Sequence, residues 1–387
     1  MLQIFKNSCS EDSVESFRVG RHSVRDARLS LKTLMHSASV KLLVVAVVLG
    51  LNGCANEPAM EFGDYTKAPA GANLPRPLPS KTLPAPKPPA TYPQHPPVYS
   101  PGNTTMDSAA TAGNYANSPA VLAFIDTMVQ KHGFERMSLT KTFAQAKRLE
   151  SVIRLEMGTD HAPGPPKPHL GSWTRYRDKF LNEEHIQNGV DFWHSNASAI
   201  QKASTTYGVD PEYIVGIIGV ETYFGRNIGK TCVFDALTTL AFDTPRRGQY
   251  FKTELENFLL MAREEGYAPR EPVGSWAGAM GLGQFMPSSF RRLAIDFDHN
   301  GKLDLWHPQD AIGSVAHYFA KNGWQFHEPV TQQVASPGGE SVIDLSTYDG
   351  DEFWETFHNF KVIKRYNNSK KYAMAVHQLA QAIKARL

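Results

Sequence analysis

Between Pro58 and Pro101 lie 13 of the 26 prolines of this 387-residue chain, and no carboxylate occurs between Asp64 and Asp107. Proline fixes φ and removes a backbone donor, so such a run can extend neither a helix nor a central strand. It also carries too little apolar surface to offset the entropy of ordering. Residues 54–115 are therefore expected to form a tether of polyproline II character. At ~3.1 Å per residue its roughly 60 residues could reach up to about 190 Å. A proline-motif ligand for a partner domain is the competing reading. The folded body is expected to be residues 116–387.

Ahead of the tether stands an address. Residues 42–51 form an apolar run of about ten residues, far short of the ~20 that a spanning helix needs. Lys41 precedes the run, and Leu51-Asn52-Gly53-Cys54 follows it. Charge, short apolar core and a small residue before a cut make a secretory signal. The Leu-x-Gly-Cys ending resembles the bacterial lipobox, which implies that Cys54 is acylated and becomes the new N-terminus. Met35 sits at the usual distance from Cys54, so residues 35–53 read as the signal peptide. Residues 1–34 read as untranslated sequence or an extended leader. Ala55 rather than Asp follows the cysteine, which by the same resemblance favours the outer membrane. With Cys9 and Cys232, the three cysteines allow neither a zinc spacing nor a disulfide framework. A formal net charge of +2 gives no reason to expect nucleic acid or a strongly acidic partner.

Helical periodicity runs through 118–132, 140–157, 174–182, 183–207, 251–265, 288–296, 310–323 and 371–387. Residues 161–168 form a Pro/Gly breaker, and 336–348 is the clear extended stretch. The fold class is mainly α. One further helix carries chemistry: Asp210 reads as its N-cap, Pro211 as its first residue and Gly225 as its stop. Ile214, Ile217, Ile218 and Glu221 share one face of it. A glutamate in an apolar stripe is costly unless paired or protonated. Desolvation raises its pKa, as a general acid near neutral pH requires. The plainer reading is a core glutamate paired with Arg226.

Three stretches in fixed order bear on that choice: GVETYFGRNIGK from Gly219, TPRRGQYF from Thr244 and GSWAGAMGLGQFMPSSF from Gly274. Together they resemble the lytic murein transglycosylase B family, and the likeness extends from about Tyr176 to the end. It implies a lysozyme-like core at about 206–330. A helical domain at about 116–205 is joined by the C-terminal helix, and a reduced β subdomain remains at about 331–360. It implies cleavage of the β-1,4 bond between N-acetylmuramic acid and N-acetylglucosamine, with a 1,6-anhydromuramic end. Glu221 would serve as both acid and base, where ordinary glycosidases use two carboxylates. Asp235 and Asp243 are within chain reach as a possible second one. The resemblance further implies sugar contacts from Ser275, Gln284, Arg246, Arg247, Tyr250, Tyr318, Tyr366, Asn367, Tyr372 and Tyr176, although core packing is the commoner role of any one tyrosine. Gly278, Gly281 and Gly283 lack the Gly-Lys-Ser/Thr of a phosphate loop. A lysozyme-type hydrolase and a non-catalytic peptidoglycan-binding lipoprotein remain as alternatives.

Asp296, Asp298 and Asn300 stand at positions 1, 3 and 5 of an EF-hand-like loop, with Gly301 at position 6 and Lys302 at 7. His307 occupies position 12, where a Glu is expected. By resemblance the loop is closed instead by Asp310, which could equally be a helix-start carboxylate. Structural calcium is expected, and no organic cofactor. The resemblance places the protein at the periplasmic face of the outer membrane, acting on glycan strands, with room for partners in cell-wall complexes.

Overall fold

The computed structural model describes residues 115–158 and 169–387; the signal peptide, Cys54, the 161–168 breaker and the expected tether lie outside these, except Tyr115, which is buried in the folded body. The described chain begins with α1 (Pro119–His132), α2 (Arg136–Ala144) and α3 (Glu150–Met157). After residue 168 come α4 (Ser172–Arg177), α5 (Glu183–Ser195), α6 (Ala197–Tyr207) and α7 (Pro211–Thr222). A two-residue strand β1 (Thr231–Cys232) leads into α8 (Val233–Asp243) and α9 (Gly248–Glu264), and β2 (Val273–Gly274) precedes α10 (Pro287–Leu293) and α11 (Pro308–Lys321). The chain then forms β3 (Thr331–Val334), β4 (Val342–Thr347) and β5 (Gly350–Thr356), followed by α12 (His358–Tyr366) and α13 (Lys370–Lys384).

The expected helix over 140–157 is two helices. Tertiary contacts claim the backbone between them: the Leu149 amide donates to Thr239 Oγ1 at 3.0 Å and the Lys147 amide to Asp235 Oδ1 at 3.1 Å. The expected helix over 183–207 breaks at Asn196, whose side chain bonds the Phe192 carbonyl at 2.8 Å, a local competitor to the ladder. The 174–182 helix shortens to the six residues of α4.

The extended region is larger than the 336–348 stretch. Strands β3, β5 and β4 make one antiparallel sheet in that order, with Gln333 opposite Trp354 and Ile343 opposite Trp354 on the other side. The central strand β5, with the sequence GDEFWET, lacks a clean alternation of apolar and polar residues, and α12 is only nine residues long, so both escaped the periodicity test.

Helix α7 is the axis of the body. Every residue from Glu212 to Thr222 is buried, so it is enclosed all round rather than amphipathic. Full burial of Ile214, Ile217 and Ile218 contributes about 1.5–3 kcal/mol each. Helix α13 packs along α7 at Gly216, where a Cβ would sit 3.0 Å from the Val376 carbonyl oxygen. The N-cap is Asp210 and Pro211 is the first helical residue, as the sequence indicates. The Asp210 carboxylate does not cap the helix; it accepts from Trp324 Nε1 at 2.9 Å and from the His327 amide at 3.1 Å. Helix α7 stops at Thr222, before Gly225, and three residues in succession are left-handed: Tyr223, Phe224 and Gly225, with φ of 53°, 57° and 81°.

Candidate active site

The short ladder β1–β2 pairs Thr231 with Gly274 and Cys232 with Val273, bringing the segment after α7 beside the glycine-rich loop. Gly229, at φ 91°, lies so close that an added Cβ would meet the Gly274 carbonyl oxygen at 2.0 Å. Only glycine fits there. The loop then folds on itself through bridges between Gly274 and Met280 and between Met280 and Phe285.

Glu221 is buried at the end of α7 against this loop. Its Oε1 accepts a hydrogen bond from the Tyr372 hydroxyl of α13 at 2.7 Å. Burial pushes the carboxyl up to about 7, against the downward pull of the Tyr372 bond. Arg226 is not its partner, since that guanidinium lies 5.5 Å from the Tyr223 ring centre. The two carboxylates within chain reach are committed elsewhere. Asp235 holds Arg270 with oxygens at 2.8 and 3.2 Å. Asp243 accepts from the Tyr115 hydroxyl and lies 3.3 Å from Arg148 Nε.

Several residues singled out in the sequence gather near Glu221. The hydroxyls of Tyr176 and Tyr366 feel its charge, which adds to the upward push of burial on both. The Tyr366 hydroxyl donates to the Gly283 carbonyl at 2.6 Å, and its ring lies 4.6 Å from that of Tyr318 and 5.9 Å from that of Phe285. The buried Tyr176 hydroxyl makes no hydrogen bond within the described structure. Ser275 Oγ accepts from the Ala277 and Ala279 amides at 3.3 and 3.0 Å, leaving its own proton free to donate. Gln284, left-handed at φ 53°, donates Nε2 to the Gly281 carbonyl at 2.8 Å and the Ile228 carbonyl at 3.2 Å, while its buried Oε1 has no partner. Asn367 caps the end of α12, five residues before Tyr372 of α13.

The arginine pair is placed differently. Arg247 grips Glu156 of α3 through Nε at 2.9 Å and through Nη2, and Arg246 Nη2 lies 3.1 Å from the same carboxylate. The Glu156 side chain is fully buried, so the pair ties α3 to the start of α9. Tyr250 stands exposed in the first turn of α9. Two buried polar residues to which the sequence reading gave no role lie at the end of α7. His185 Nε2 bonds the Gly219 carbonyl at 3.1 Å, and burial lowers its pKa to about 4, so it is neutral at pH 7. Thr222 is wholly buried beside Glu221. A buried hydroxyl or imidazole looks like any other in a one-dimensional pattern, and only the partner's position reveals its work.

The acidic loop also converges. Carboxylate oxygens of Asp296, Asp298 and Asp310 all lie within 4.8 Å of one another. Gly301 is left-handed at φ 85°, as the sixth position of such a loop demands. Asp310 is buried and accepts from the amides of Phe297 at 2.8 Å and Asp304 at 2.8 Å. Its carboxyl is pushed up by burial and, to a lesser degree, by Asp298, against the pull of those amides. Asn300 Oδ1 accepts from the Lys302 amide at 2.9 Å, and His307 Nδ1 lies 3.7 Å from Asp298. Three hard oxygen ligands at this spacing fit a calcium ion, whose charge would offset their mutual repulsion.

Comparison with known proteins matches residues 116–347 and 339–381 to the family described as the transglycosylase SLT domain. The chain is 45% identical over 304 residues to membrane-bound lytic murein transglycosylase B of Escherichia coli strain K12, covering 70% of this chain and 84% of that one. It is also similar to the solved E. coli lytic transglycosylase Slt35 in complex with bulgecin A, at 43% identity and a TM-score of 0.66, over 73% of this chain and 98% of that one. Slt35 has been solved in complex with calcium as well; against that structure the TM-score is 0.65, with the same identity and coverage.

Proposed function

Because the chain belongs to the transglycosylase SLT family and is a lytic murein transglycosylase, cleaving the β-1,4 bond between N-acetylmuramic acid and N-acetylglucosamine to leave a 1,6-anhydromuramic end, we propose that Glu221 alone carries both proton transfers. The observation that supports this is a buried carboxyl held near 7, bonded to Tyr372, while Asp235 and Asp243 are engaged by other groups. In the first half Glu221 gives its proton to the glycosidic oxygen as the C1–O bond breaks. The resulting carboxylate is stabilised by the Tyr372 hydroxyl. In the second half it takes the proton of the muramic C6 hydroxyl as O6 closes on C1. No water is consumed. Ser275 donates to a sugar acceptor, Gln284 Oε1 accepts from a sugar donor, and Tyr318, Tyr366, Tyr372 and Tyr176 wall an uncharged glycan with Asn367. Arg246, Arg247 and Tyr250 stand at the rim, both arginines held by Glu156. Mass spectrometry of muropeptides released from purified sacculi tests the reading. Anhydro ends are expected; reducing ends would indicate a hydrolase, and no release a binding protein.

Glu221 must start protonated, and it is half protonated near 7. Activity should therefore fall as pH rises through 7, with an alkaline limb well above the ordinary carboxylate range. A rate that is flat from pH 6 to 9 would argue against a single acid of this pKa.

Asp296, Asp298 and Asp310, with Asn300 and the Lys302 carbonyl, are the residues that would hold calcium, whose part is to pin the loop. A ligand bound only by the folded state raises the thermal midpoint. Calcium should do so here, and the double variant Asp296→Ala with Asp298→Ala should not respond. A wild-type midpoint indifferent to chelator would leave the loop a plain turn.

Among the described residues no helix is long and apolar enough to cross a membrane. The reading of Cys54 as a lipid anchor, with 54–115 as the tether that carries the enzyme to the wall, rests on the sequence alone. Cys54→Ala should release the protein into the soluble periplasm. Unchanged membrane fractionation would rule out the lipobox.

A further inference from the structure

The wholly buried Thr222 joins three segments through one oxygen. Its Oγ1 lies 2.9 Å from the Leu282 carbonyl of the glycine-rich loop and 3.2 Å from the Ile218 carbonyl of its own helix, and it accepts the Gly225 amide at 3.0 Å. A hydroxyl has one proton, and the shorter distance directs it to Leu282. The same loop residue donates its amide to the Leu305 carbonyl at 2.8 Å. The Gly225 amide belongs to the left-handed run Tyr223–Gly225, an arrangement that is strained for non-glycine residues and persists only when its surroundings fix it. Phe224 is fixed by complete burial and Tyr223 by the Asn188 amide on its hydroxyl.

We propose that Thr222 is a positioning residue for this reaction, setting the separation between Glu221 and the loop that carries Ser275 and Gln284. The proposal rests on Glu221 as the acid. The Leu282 carbonyl stands one residue from Gly283, which takes the Tyr366 hydroxyl, and two from Gln284. Glu221 is the neighbour of Thr222 on the other side of the same bond. One hydroxyl thus links the proton donor to the sugar-binding frame without touching the substrate. Misplacement by about 1 Å can cost 10²-fold in rate.

Thr222→Val keeps the shape and removes the hydroxyl, while Thr222→Ser restores it. In the full-length protein, acting on soluble glycan oligomers, the valine variant should lose roughly 10²-fold in kcat with little change in KM. The serine variant should recover most of that loss. A purely structural residue would lower the thermal midpoint of the valine variant and leave kcat alone; that result overturns the proposal, as does a kcat loss that serine fails to restore. Should the valine variant not fold, Thr222→Ala decides, since water can occupy the vacated space; a loss of about tenfold in kcat supports the role and wild-type kcat overturns it. Glu221→Gln run alongside separates the two readings. If it is inactive while Thr222→Val is fully active, only Thr222 falls; if Glu221→Gln is active, both fall.

Discussion

Glu221→Gln should reduce the release of anhydromuropeptides by at least the upper end of the 10²–10⁴-fold that general acid–base catalysis supplies, because in the proposed mechanism one group serves both half-reactions. The amide keeps the volume and can still accept the Tyr372 hydroxyl bond, so the fold should survive and glycan fragments should still bind. Stability gives an independent check with a definite sign. The folded-state pKa is raised from the ordinary 4.5 to about 7, so between those values the folded chain holds a proton that the unfolded chain has lost. Wild-type stability therefore falls as pH rises from about 4.5 to 7, by up to about 3 kcal/mol. The glutamine has no proton to lose. At pH 8 the variant should melt higher than wild type, and near pH 4 the advantage should vanish. Near-wild-type activity would remove Glu221 from the mechanism, and a variant that melted far lower at every pH would mark a structural residue.

Asp310→Ala should be the most damaging change in the acidic loop. Its Oδ1 takes the amides of Phe297 and Asp298, and its Oδ2 that of Asp304. Alanine leaves these donors unpaired, two of them buried, at about 1–3 kcal/mol each. For a body of this size the resulting loss of about 2–6 kcal/mol lowers the midpoint by roughly 4–24 °C. Asp310→Asn keeps one acceptor and should lose less, but should respond more weakly to calcium because the donated charge is gone. A thermal midpoint for Asp310→Ala within a degree of wild type would show that the loop holds its shape without this carboxylate.

Much of the centre was legible in the chain alone. Asp210 and Pro211 mark the start of the helix that bears Glu221, and a carboxylate among isoleucines signals a displaced pKa. The single glycine of the acidic loop, Gly301, follows from sterics. Part of what escaped is local, as with the Asn196 side chain, the unpatterned β5 and the short α12; the rest depends on who arrives from far along the chain. Helices that look continuous through Gln145 or Asn196 break because Thr239, Asp235 or a side-chain amide takes the backbone bond. The arginine pair in TPRRGQYF shows no partner in the sequence, yet both guanidiniums meet Glu156, about 90 residues earlier. Thr222 reads as an ordinary residue near a helix end because its partner, Leu282, is 60 positions away.

The hydrogen bond from Tyr372 to Glu221 spans 151 residues, and the helix that brings it also covers the apolar flank of α7. At synthesis rates of 5–20 residues per second, some 8–30 s pass between the appearance of one partner and the other. During that interval the emerging chain carries the proposed catalytic carboxyl unassembled, on a largely apolar helix waiting for its cover. Such a chain is harmless to the glycan strands but prone to aggregate, so a chaperone would be needed most in the stretch of synthesis between α7 and α13. Ribosome-stalled chains ending before Lys370 should accordingly be inactive and protease-sensitive along α7.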